Sequence, residues 1–132
     1  MSQENVELVR RRFEAFNRGD LAAMIGLTDP DAIWWDRPDD PWGGVPHRGR
    51  DACIQHLAEI LEEAELEAQP HEFIDAGPSV VVGVRLVGRG RISGATFEEH
   101  EFHVLTLRDG KVIETREYHE REEALGAAGL SE

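Results

Sequence analysis

The sequence has 132 residues, enough for one domain (residues 1–132) around one core, and its 27 acidic against 14 basic residues give a net charge of −13 that argues against nucleic acid and anionic membranes as partners. Its single cysteine, Cys53, rules out an internal disulfide and falls in an apolar helical pattern, as a small buried hydrophobe in a reducing compartment would. No run approaches the ~18 apolar residues of a membrane span, and the opening SQENVELVRR lacks the apolar centre of a signal peptide, so a cytoplasmic protein is expected.

Ser2 can cap a first amphipathic helix reaching about Asn17, in which Val6, Val9, Phe13 and Phe16 recur at helical spacing. Arg12 shares that stripe, so its stem packs at the core border and its head needs a partner. Asn17-Arg18-Gly19-Asp20 breaks the helix, and Asp20 can cap a short second one carrying Leu21, Met24, Ile25 and Leu27, ended by Asp29-Pro30. Ala32 to Asp36 (AIWWD) predicts a strand with Trp34 and Asp36 on one face and Ile33 and Trp35 on the other. Arg37 to Gly49, with three prolines and three glycines, is a loop long enough to act as a cover, with Trp42 as its anchor or as a pocket rim. A third helix from about Arg50 to Glu67 buries Cys53, Ile54, Leu57, Ile60 and Leu61 and turns Glu62, Glu63, Glu65 and Glu67 to solvent, with His56 as a surface or boundary histidine. After Pro70, HEFIDAG and SVVVGVRLVGRGRISG read as two strands joined around Gly77-Pro78.

The last third folds two strand-like runs over Arg108-Asp109-Gly110-Lys111, the strongest short hairpin signal in the chain. Glu99, Glu101, His103, Leu105 and Leu107 share one face of the first strand; on the second, Ile113, Thr115, Glu117 and His119 alternate with Val112, Glu114, Arg116 and Tyr118. Neither strand has a purely apolar face, so one face is expected to line a polar cavity. Phe102, Val104 and Tyr118 on the outward side favour a covered face and predict a two-fold dimer through it. Three helices around one strand, then four strands, make an α+β plan: a curved antiparallel sheet closed by helices on one side.

The stretches FNRGDLAAMIGL, PDAIWWD, HRGRDACIQHL, LRDGKV and YHEREEALGAAGL resemble, over nearly the whole chain, the nuclear transport factor two-like superfamily and within it the SnoaL-like and ketosteroid-isomerase-like branch. The resemblance implies a cone-shaped α+β barrel, a curved antiparallel sheet wrapped around one pocket closed by three helices of the N-terminal half, and commonly a homodimer. Asp36 falls where ketosteroid isomerases keep their general base; beside Trp34 in an apolar pocket its pKa would rise toward a useful range, although a strand-end aspartate equally suits a loop cap. His103 falls where those enzymes keep an acid that donates to the developing enolate oxygen, a role that histidine can fill. The helix-one tyrosine of the isomerases lines up with Arg12, so steroid isomerisation is not expected.

Asp36, His103 and His119 are thus the catalytic candidates, and Arg12, Phe16, Trp34, Trp42, Glu101, Leu105 and Glu117 the candidates for holding substrate. Strand parity sends His100 and His103 to opposite faces; only His103 and His119 can converge on a metal, with Asp36 or Glu117 as third ligand, and the expectation is no metal and no cofactor. No G-x-S-x-G, P-loop or dinucleotide fingerprint occurs. The expected function is cofactor-free proton transfer, of isomerase, cyclase or dehydratase type, on a partly polar organic molecule, with Asp36 as base and His103 as acid. A non-catalytic ligand-binding or dimerisation scaffold of the same fold stays open.

Overall fold

In a computed structural model of the chain, which describes residues 2–37 and 45–130, Asp109 and Gly110 both take left-handed φ angles, 53° and 77°, as a tight two-residue hairpin turn requires. Along the chain run α1 (Ser2–Arg18), α2 (Leu21–Gly26), β1 (Thr28–Trp35), β2 (His47–Arg48), α3 (Arg50–Glu63), β3 (Ala64–Ala76), β4 (Ser79–Gly90), β5 (Thr96–Arg108), β6 (Lys111–Tyr118) and α4 (Arg121–Ala127). The fold is α+β: one curved six-stranded sheet ordered β2-β1-β6-β5-β4-β3, with β2 and β3 as open edges. Asp20 caps α2 as expected, accepting from the Ala23 amide at 3.0 Å.

Four expectations need correction. The sheet is mixed, because β1 runs parallel to β6, with Trp34 beside Thr115 and Trp35 beside Arg116; strands so far apart in sequence carry no hairpin constraint on direction. The third helix stops at Glu63, and residues 64–69 open β3, where Ala64, Leu66 and Ala68 alternate with Glu65 and Glu67. Period two has won over helix propensity there, and Pro70 is tolerated because β3 is an edge strand with a register shift between Pro70 and Glu72. Likewise Asp29-Pro30 lies inside β1 instead of ending a helix. Finally, a fourth helix, α4, sets Ala124 and Leu125 on Val81 and Val104, flanked by Phe102 and Tyr118. The outward apolar residues that predicted a dimer are therefore covered, at least in part, by the chain's own C-terminal helix.

On the inner face Val9 and Phe13 of α1 pack against Val80, Val82, Val84 and Leu105, each such buried side chain stabilising the fold by roughly 1.5–3 kcal/mol. A second cluster joins Ala15, Met24, Trp34, Cys53 and Leu57, from α1, α2, β1 and α3. Asn17 locks α1 to the free edge of the sheet: its Nδ2 donates to the Ala68 carbonyl at 2.9 Å and its Oδ1 accepts from the Ala68 amide at 2.8 Å. The side chain thus stands in for a missing neighbour strand. Asn17→Ala is expected to lower stability by about 1–3 kcal/mol in urea denaturation, since two edge groups lose their partner; a loss near zero would mean that apolar packing alone holds α1.

Candidate functional site

The β5–β6 hairpin decides what faces inward. An uninterrupted ladder from the Arg108–Lys111 pair would set His103 opposite Arg116. The pairing instead shifts between Thr106 and Leu107, Ile113 becomes the extra residue, and His103 lies opposite Glu117. Directly opposed residues share a face, so this single bulge turns Glu117 inward.

That face meets the three N-terminal helices around a cavity of about 480 Å³, within the usual size of small-molecule sites. Phe13, Phe16, Met24, Leu57, Leu86 and Leu105 supply apolar wall, while Arg12, Trp34, Asp36, His56, Glu101, His103 and Glu117 bring polar groups into it. His103 Nε2 lies 2.8 Å from Glu101 Oε1 and 3.8 Å from Glu117 Oε2. The other oxygen of Glu101 accepts from Arg37 Nη1 at 2.6 Å, and the same nitrogen reaches Glu99 at 3.2 Å. Glu117 Oε2 also accepts from Trp34 Nε1 at 3.0 Å.

Each charge answers to its surroundings. Burial pushes the Glu117 carboxyl up from the ordinary 4.5 to about 7; His103 and the Trp34 hydrogen bond pull the other way, but the Glu101 and Asp36 anions add to the rise. Burial also opposes ionisation of Glu101, yet the His103 hydrogen bond and the Arg37 charge outweigh it and hold that carboxyl low. For His103 burial is the largest influence and disfavours the cation, but Glu101 and Glu117 together raise its pKa.

A second group sits at the cavity wall. Asp36 Oδ1 takes His56 Nε2 at 3.1 Å and Oδ2 takes His47 Nε2 at 3.0 Å, with the two imidazoles stacked at 3.9 Å and 16° and Trp34 edge-on to His56 at 5.0 Å. Burial raises the Asp36 pKa, but these two histidines outweigh it and bring the carboxyl below its ordinary value. The expectation of a raised Asp36 pKa is therefore corrected: its neighbours are histidines and not only apolar walls. By donor type and spacing two sets can hold a cation among the described residues, Asp36 with His47 and His56, and Glu101 with His103 and Glu117, the donor atoms of each set lying within 4.8 Å of one another; a metal at either would have to displace protons from its histidines and carboxyls.

Of the candidates, Arg12, Phe16, Trp34, Asp36, Glu101, His103, Leu105 and Glu117 line the cavity together, and Trp42 lies outside the described residues. His119 does not line it: β6 ends at Tyr118, and His119 is an exposed residue in the bend before α4. Strand parity carries no meaning past the end of the strand, so the expected convergence of His103 and His119 is corrected. Two participants were missed. His56 follows Cys53 by three and precedes Ile60 by four, which puts it on the buried stripe of α3, a signal that was present; His47 sits on a two-residue strand placed only by its pairing with Trp34, and nothing local announced it.

A curved sheet and helices enclosing one mostly apolar cavity, with ionisable groups on its strands, define the class of α+β pocket proteins. The SnoaL-like domain family matches residues 9–115, and the chain belongs to that family. It is similar to an NTF2-like protein from Burkholderia xenovorans LB400, 32% identical over 97% of each chain with a TM-score of 0.77, and to Bal32a from a soil-derived mobile gene cassette, 25% identical over 89% of each chain with a TM-score of 0.81. TerC, crystallised with polyporic acid, shares the fold at 21% identity, covering 96% of this chain and 98% of its own, with a TM-score of 0.76. Among curated proteins the sequence finds no match.

The folded protein keeps the Glu117 proton up to about pH 7, whereas the unfolded chain releases it near 4.5. Stability contributed by this group therefore falls as pH rises between those values. Glu117→Gln is expected to be more stable than the parent by roughly 1–3 kcal/mol at pH 8, with the difference gone near pH 4. Thermal midpoints across that range would measure it, and parallel curves for the two proteins would place an ordinary, ionised carboxylate at Glu117.

Proposed function

We propose that the protein is an enzyme that moves a proton on a small organic molecule held in the cavity, in a reaction of isomerase, cyclase or dehydratase type that needs no cofactor. One observation carries the reading: Glu117 is held in the cavity, its side chain 10% exposed and 3.8 Å from His103, where burial pushes its pKa up to about 7, a range in which an acid–base group works in both directions. The Glu117 carboxylate takes a proton from carbon next to a carbonyl, and the electron pair moves onto the carbonyl oxygen. His103, whose charged form Glu101 favours, donates a hydrogen bond to that oxygen, and the Glu117 carboxyl returns the proton at the new position. Phe16, Leu105 and Trp34 bed the substrate. Asp36, the base expected from the resemblance, serves in this reading as the anion that positions His47 and His56.

A second reading has its own support. Asp36 is satisfied by two histidines and His103 by Glu101, as a non-catalytic binding protein would arrange them. Proton exchange separates the two. With a panel of aromatic ketones and 1,3-dicarbonyl compounds in D₂O, followed by NMR, the parent is expected to speed α-proton exchange of at least one. Glu117→Gln should lower that rate by about 10²–10⁴ with little change in KM, and Asp36→Asn should cost less. No exchange with any compound that binds would favour the binding protein.

We also infer a homodimer in a reducing, cytoplasmic setting, which suits the lone buried Cys53. The outer face around Trp35 and Arg116, which stack at 4.8 Å, is the surface left beside α4 for a second copy. Sedimentation at micromolar concentration is expected to give the dimer mass; a monomer would remove this part of the proposal.

A further inference from the structure

Arg12 carries a charge where charge is unfavourable, and among the described residues it has no countercharge. It lies on the buried side of α1 between Val9 and Phe13, 8% exposed, and its Nε is buried with no hydrogen-bond partner. Among the described residues no carboxylate pairs with it. Arg37, 9% exposed, shows what the same chain does elsewhere: it sits on Glu101 at 2.6 Å.

Carboxylates line the same cavity, yet none pairs with Arg12: Glu101 is engaged by His103 and Arg37, Glu99 by Arg37, Asp36 by His47 and His56, and Glu117 by Trp34, while Glu63 is exposed at the end of α3. The titratable groups that act on Arg12 through space are the Cys53 thiol and His103, and neither is a carboxylate. Burial lowers the arginine pKa to about 10, which leaves it charged at neutral pH. Removing one partner from a buried pair is strongly destabilising, so a buried cation with no anion beside it among the described residues marks a place that an anion comes to fill.

We infer that Arg12 is the anion-binding group of the cavity and that the molecule bound there is an organic acid, a carboxylate or the enolate of an acidic ring, on an apolar aromatic body. The guanidinium matches two oxygens of one anionic group, and Phe13, Phe16 and Met24 offer the apolar surface beside it. The protein's net charge of −13 repels anions at long range, so a preference for acids has to arise inside the cavity, where His103 and His56 are already bound to carboxylates and Arg12 is not. The inference names the substrate class for the reading above and rests on that cavity being the binding site.

Calorimetry at pH 7.5 with 2-naphthoate and the neutral 2-naphthamide as probes tests it on the parent, Arg12→Met and Arg12→Lys. The parent is expected to bind the acid roughly ten- to a hundredfold more tightly than the amide; Arg12→Met should level the two, and Arg12→Lys should keep part of the preference. Ligand-free Arg12→Met should also melt higher than the parent, because an unpaired buried charge is gone. Equal binding of acid and amide by the parent, or a preference that survives in Arg12→Met, overturns the inference and leaves the cavity reading standing. A lower melting temperature in Arg12→Met with the preference unchanged assigns Arg12 to packing, with the same result. Should neither probe bind at millimolar concentration, the small-molecule reading of the cavity falls and this inference with it.

Discussion

One extra residue in one strand sets which side chains of this protein face its cavity. The Asp109-Gly110 turn pairs Arg108 with Lys111, and a regular ladder from there would face Arg116 toward His103 and send Glu117 to the outer surface. Ile113 breaks the count, and Thr115 and Glu117 turn inward while Arg116 packs outside against Trp35. A hairpin without the bulge would set Arg116 beside His103 in the cavity and leave no carboxylic acid of raised pKa at that position. Bulges are energetically tolerable in sheets and re-aim whatever follows them; here the re-aimed residue is the one whose proton is poised near neutral pH.

The rest of the cavity makes that placement tolerable. Burying several ionisable groups in a mostly apolar space is unfavourable unless they satisfy one another. Glu101 has two partners of opposite sign or donor character, His103 and Arg37, and stays anionic. Asp36 likewise has one imidazole for each oxygen. Glu117 has a single indole donor and a histidine 3.8 Å away that is already bound to Glu101. Three carboxyls of similar intrinsic acidity therefore diverge, two held low by their partners and one raised by burial that its fewer partners do not offset.

The hairpin, the Asp20 cap and the inward alternation of Trp34 with Asp36 were legible because each depends on neighbours within a few residues. So was the shared face of Glu101, His103 and Leu105. What the sequence hid depends on distant partners. Nothing near Trp34 says that β1 runs parallel to β6, and the acidic stretch after Glu63 has helical composition, becoming a strand only because β4 pairs along it from Ala64 to Ala76. The histidines of the Asp36 cluster come from β2 and α3, brought together by the Trp34–His47 pairing and the packing of Cys53 and Leu57 under β1. His119 failed for the opposite reason, since alternation was extended past the last residue whose backbone the sheet constrains.

The two faces of β4 and β5 also show why the cavity can be polar at all. Val81 and Val104 point outward under Ala124 and Leu125 of α4, while Val80, Val82, Val84 and Leu105 point inward against α1. Both faces of the middle of the sheet are therefore dry, and stability does not depend on filling the inner face with hydrocarbon along its whole length. The apolar stretch of β5 ends inward at Leu105, and from His103 back through Glu101 and Glu99 the same face becomes ionisable. That gradient along one strand, from packed valine and leucine to histidine and glutamate, lets a 132-residue chain keep a core at one end of its sheet and an unfilled, charged cavity at the other.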